Sequence, residues 1–137
     1  MKSGKSLFFK ILLHVFLPLL IGFIIYVFYR PNVWITRYLN WTFSEQLNPE
    51  NYSLITRWII YSGPDFCWAY SFASAIFILN HLYIRLSQRF MFAFVLVILM
   101  VSEIIQLFLK PYFTFSMSDL ITVIAGCILS IISIKNL

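Results

Sequence analysis

Four side chains have the type and spacing to do chemistry at one place: Glu103, Gln106, Asp119 and Asp65. Glu103 stands inside an apolar run from Phe90 to Leu109 that is long enough to cross a bilayer. A carboxylate at membrane depth costs a few kcal/mol, about 3 kcal/mol on insertion scales, so such a group turns toward other helices or a wet cavity and finds a partner. At about 1.5 Å rise per residue, Glu103 lies roughly 20 Å from Phe90 and roughly 10 Å from Leu109, which places it in one leaflet. Gln106 and Lys110 follow at i+3 and i+7 on the same helical face, where the amide reaches the carboxyl and the ammonium snorkels to the interface. The plainer alternative for this group is an interhelical hydrogen bond that only holds a bundle together.

The elements that must position these groups are membrane helices. Of the 137 residues, 61% are hydrophobic and only 11% charged, which excludes a soluble domain of ordinary composition. Stretches of about 20 apolar residues fall at 7–29, 65–84, 90–109 and 115–134. The expectation is an all-α fold, an integral membrane four-helix bundle forming a single polytopic domain over 1–137, with an outer loop over 30–63. The first run follows Lys2, Lys5 and Lys10 as a signal peptide would, but it is too long for a signal core and no small-residue cleavage site follows. It is therefore expected to be a retained helix.

Lys2, Lys5, Lys10, Arg85, Arg89 and Lys135 fall on one side of such a topology, and Arg30, Arg37, Arg57 and Lys110 on the other. This bias predicts a multi-pass protein of a bacterial cytoplasmic membrane with both termini in the cytoplasm. Glu103, Asp65 and Asp119 then belong to the outer half. The net charge of +5 resides in these flanks and suits anionic lipid head groups, and its spacing does not suggest nucleic acid.

Within the outer loop, Trp34, Tyr38 and Trp41 recur at i, i+4 and i+7, the pattern of a short interfacial helix with its rings at head-group level. Gly63-Pro64-Asp65 reads as the start of the second membrane helix, with proline at the first helical position and an acid in the first turn. Ala69 with Ala73, and Ser71 with Ala75, are small pairs that permit close helix contact, and Gly22 does the same beside a kink expected at Pro18. Asp119, Thr122, Gly126, Ser130 and Ser133 form one small-polar stripe that should face inward. His14 is expected to be a hydrogen-bonded packing residue, and Cys67 and Cys127 small packing residues with no metal or redox spacing. Arg85 to Arg89 reads as a tight turn.

The arrangement Ser102-Glu103-Ile-Ile-Gln106, then Asp119, then Gly126 resembles the VanZ-like membrane proteins, in which E-x-x-Q on one helix precedes D-x-x-x-N-x-x-G on the next. The match spans about Val101 to Ser130, and Val123 stands where the pattern has Asn. The resemblance implies a cell-envelope protein of a bacterial inner membrane, from a family linked to antibiotic resistance.

On this reading Glu103, Gln106, Asp119 and Asp65 converge near the outer surface, and at least one of three crowded carboxyls would keep a proton. The leading functional expectation is binding of a lipid-linked or amphiphilic envelope molecule at that outer-leaflet polar site. A proton-coupled small transporter working as a homo-oligomer is the second, and a non-catalytic or immunity-type subunit docking a membrane protein partner the third. No metal-ligand spacing, nucleophile with an adjacent base or phosphate loop points to an enzyme, a metal or another cofactor.

Overall fold

The computed structural model describes residues 4–29, 52–108 and 117–135, apart from the side chains at 4–6, 103, 106, 107 and 135. The interfacial helix expected around Trp34, Tyr38 and Trp41 lies outside the described residues. Every regular element among them is helical: α1 (Gly4–Ile11), a π-helical segment (Leu12–Phe16), α2 (Leu17–Tyr29), α3 (Leu54–Leu79), a second π segment (Asn80–Ile84), α4 (Gln88–Phe108) and α5 (Met117–Lys135).

Helix α1, its π segment and α2 run as one rod. Pro18 explains the widened turn within it. Proline offers no N–H and its ring crowds the carbonyl four residues back, that of His14. Opening the preceding turn relieves the clash, and the Leu17 N–H bonds the carbonyl of Leu12, five residues back.

Helix α3 begins eleven residues before the start suggested by Pro64 and Asp65. Ser53 is its N-cap, with the Thr56 N–H donating to Ser53 Oγ at 3.2 Å. Pro64 therefore sits in the helix interior, and Asp65 is a mid-helix residue instead of a first-turn acid. An interior proline costs about 3 kcal/mol. Ile60, Ser62 and Pro64 itself are buried against neighbouring helices, and that packing outweighs the local stop signal.

The other end of α3 is closed by a side chain. Asn80 Nδ2 donates to the Leu86 carbonyl at 3.1 Å, and the Leu86 N–H donates to Asn80 Oδ1 at 2.9 Å. Arg85 turns the chain in the left-handed conformation at φ 57°, and its N–H reaches the Asn80 carbonyl. Ser87 then caps α4 through the Phe90 N–H at 3.3 Å. The expected tight turn between two antiparallel helices is present, at 85–87.

Among the described residues three stretches are long and apolar enough to cross a membrane, Leu7–Tyr29, Leu54–Ile84 and Met117–Ile134, and α4 carries a shorter apolar stretch, Gln88–Ser102. Helix α3 is central. One face meets the first rod, where a Cβ on Gly22 would stand 2.8 Å from the Cys67 Cβ and one on Gly63 would meet Ile25. Tyr26 and Trp68 pack with ring centroids 5.5 Å apart. His14 meets Tyr70, Gly22 meets Cys67 and Ile25 meets Gly63, so the rod and α3 are antiparallel. The opposite face meets α5. Here paired residues keep separations of 56 or 57 in number, Ser62 with Ser118 and Asp119, then Ser74 with Ser130. Helices α3 and α5 are thus parallel neighbours. Helix α4 returns between them, and Met91 and Val95 join Ala73, Phe77 and Cys127 in the apolar core.

Candidate functional site

The small-polar stripe of α5 faces α3. Asp119, Thr122, Gly126 and Ser130 are all buried, and Ser133 is half-buried. Gly126 sets the helix separation: a Cβ there would lie 2.8 Å from the Phe66 carbonyl oxygen and 3.2 Å from the Tyr70 nitrogen, so only glycine lets the two backbones approach this closely. One turn on, Ser74 and Ser130 satisfy each other at 2.9 Å.

At the start of α5 the seam becomes acidic. Asp119 is 7% exposed and accepts from Ser62 Oγ at 3.2 Å. Ser62 Oγ also lies 3.1 Å from Ser118 Oγ. A serine hydroxyl has one proton, so if Ser62 gives its proton to the carboxylate, Ser118 must donate to Ser62. The result is a hydroxyl chain directed at Asp119. Thr122 turns back within its helix, donating to the Ser118 carbonyl at 2.7 Å, and leaves its methyl in the seam.

Asp119 sits in the first turn of α5, where the partial positive charge of the helix end favours an anion. Asp65 follows Ser62 by three residues on α3; it is half-buried and has a partner of its own. The side chains of Glu103 and Gln106 lie outside the described residues, and so does any meeting of Glu103 with Asp119.

A second polar junction lies between the first rod and α3. His14 Nδ1 and Tyr70 Oη are 2.6 Å apart, and Ser71 Oγ donates to the Val15 carbonyl within the π segment. His14 is the hydrogen-bonded packing residue its isolation suggested. Cys67 and Cys127 are both free thiols, Cys127 fully buried in the core. No three His, Cys, Asp or Glu residues gather into a metal-holding group among the described residues.

Ser62 is the residue that sequence reasoning missed. It falls within the loop expected over 30–63, because Pro64 reads locally as the start of a helix. The signal for it is Ser53 followed by Leu54, Ile55, Trp58, Ile59 and Tyr61 at helical spacing, which marks a cap and a helix beginning upstream of the proline. No protein family, characterised protein or solved structure matches the chain.

Proposed function

We propose that this chain is a small VanZ-like protein of a bacterial cytoplasmic membrane, a four-span bundle with both termini cytoplasmic, which binds a lipid-linked or amphiphilic envelope molecule at a polar site on its outer side. The observation that carries this reading is Asp119, a buried carboxylate in a membrane-spanning helix, supplied with a two-hydroxyl chain through Ser62 and Ser118. An acid in such a place is a functional candidate by its cost alone. The E-x-x-Q spacing of Glu103 and Gln106 supports placing a second acid and an amide on the same seam. Carboxyl and amide groups would fix a polar head group while the apolar tail stays among the lipids.

The test is Asp119→Asn beside Glu103→Gln, each assayed in cells for the envelope-stress or glycopeptide-susceptibility phenotype of the deleted gene, with membrane levels measured. Asparagine keeps the size of Asp119 and its acceptor for Ser62, so normal accumulation with loss of the phenotype is expected. Full activity of both variants at normal levels would reduce the seam to bundle packing and end this reading.

A further inference from the structure

We propose that the first half of the rod, Gly4–Phe16, is a strap hinged where the π segment meets Pro18, which closes over Tyr70 and Ser71 of α3 and swings out into the lipid when two hydrogen bonds are broken. Two features of the rod coincide there: a discontinuity in its backbone and a change in what holds it to α3.

The discontinuity is built into the sequence. Pro18 cannot supply the N–H that an α turn would give to the His14 carbonyl, and the Leu17 N–H reaches back five residues to Leu12 instead of four. Prolines and wide turns are where helices bend, because the ladder of backbone bonds is interrupted there. A pivot at this place leaves α1 and α2 intact on either side of it.

The change in attachment falls at the same turn. Beyond it the rod is seated by close packing, with Gly22 on Cys67, Ile25 at Gly63 and Tyr26 against Trp68, and both Gly22 and Val27 are buried. Between Leu7 and Ile21 no residue is buried, and Phe8 and Phe9 are 68% and 62% exposed. Helix α1 packs chiefly on the π segment of its own rod. What ties this half to α3 is polar: His14 Nδ1 with Tyr70 Oη at 2.6 Å, and Ser71 Oγ on the Val15 carbonyl.

The bilayer decides which attachment matters. Lipid tails are as apolar as leucine, so the apolar side chains of the strap lose little on leaving α3 for lipid. A hydroxyl left there without a partner is costly. The two hydrogen bonds are therefore the latch, and it rests closed. Tyr70 and Ser71 are both buried when it is closed, and opening offers their hydroxyls to a hydrogen-bonding amphiphile in the bilayer. An apolar groove runs across the hinge, lined by Leu12 and Leu13 before it and by Leu17 and Leu20 after it, so its shape changes as the strap moves. The strap goes beyond the ligand site proposed on the α5 seam and stands without Asp119.

The test measures distances between paired spin labels on the full chain in a neutral detergent, with Cys67→Ala and Cys127→Ala removing the native thiols. One pair, Phe8→Cys with Tyr83→Cys, reports the strap; the other, Ile24→Cys with Leu54→Cys, reports the seated half, and all four positions are exposed. Each pair should show one distance while the latch is intact. Tyr70→Phe with Ser71→Ala should raise the population of a second, longer distance in the strap pair by about tenfold and leave the other pair unchanged. Pro18→Ala on top of these should reduce that population, since it restores the missing N–H and stiffens the hinge. A strap pair that keeps its single distance after loss of both hydroxyls overturns the proposal. Lengthening of both pairs together, in Tyr70→Phe alone as well as in the double variant, also overturns it, because the rod then leaves α3 in one piece.

Discussion

Two glycines show how far a single Cβ decides the behaviour of this protein. At Gly126 the added atom meets a backbone oxygen at 2.8 Å, which cannot move without shifting α3. At Gly63 the nearest atoms are side-chain methyls at 3.7 and 3.8 Å, ordinary contact distances. Gly126→Ala should therefore destabilise the bundle by about 1–3 kcal/mol, whereas Gly63→Ala should be neutral or stabilising by up to about 1 kcal/mol through helix propensity. Denaturant unfolding monitored by circular dichroism of the two variants checks the opposite signs; equal losses would mean that α3 and α5 are not in backbone contact. The sequence made Gly126 legible through the spacing of its stripe from Asp119 to Ser133. It did not reveal what the stripe faced, because periodicity assigns a residue to a side of its own helix and says nothing of the neighbour.

Among the elements, α3 is where local signals and the folded structure part. Gly63, Pro64 and Asp65 form a sound helix start by themselves, and only the burial of Ile60 and Ser62 against other helices carries α3 through them. Local rules could not anticipate that gain, since it depends on elements distant in sequence. The far end of α3 was more readable, as a turn, though the device that closes it was not. Asn80 is buried and its amide holds both the N–H and the carbonyl of Leu86. Asn80→Ala removes both partners at once and should cost about 1–3 kcal/mol. Arg85→Gly, at the left-handed position, should stabilise the same turn by up to about 1 kcal/mol. Thermal melts of both variants in one detergent test this; an unaffected Asn80→Ala would show that the clasp is not maintained in the membrane.

For the molecule as a whole, the directions of the helices carry the most consequence. The first rod is antiparallel to α3 and α5 is parallel to it, so Gly4 and Lys135 lie at the same end of the bundle. Reporter fusions at the two termini should accordingly report the same side of the membrane, and opposite sides would exclude this arrangement. The Lys and Arg pattern leads to the same expectation by a separate route, since it reads the flanks of the spans and not their packing. Coverage is uneven: 11% of the first span's apolar window is buried, against 39% for the second and 33% for the third. Along the exposed side of the rod Phe9, Leu12, Phe16, Leu20, Phe23 and Trp68 line an apolar groove of about 690 Å³, which suits acyl chains as its solvent.

The π segment at Leu12–Phe16 gives that peripheral rod an unusual property. A wide turn holds roughly one residue more than an α turn, so the angular phase of everything before it is offset by about 100° from everything after it. Residues before the turn are aimed by this offset and His14 by the widening itself, whereas Gly22 is aimed by neither. The rod therefore works like a key with two cuts set at different angles: the later cut seats Gly22 on Cys67, and the earlier one delivers His14 to Tyr70. Removing one residue from the wide turn would leave the second cut seated and rotate the first out of its lock, separating the closeness of the rod from the polar junction that ties it to α3.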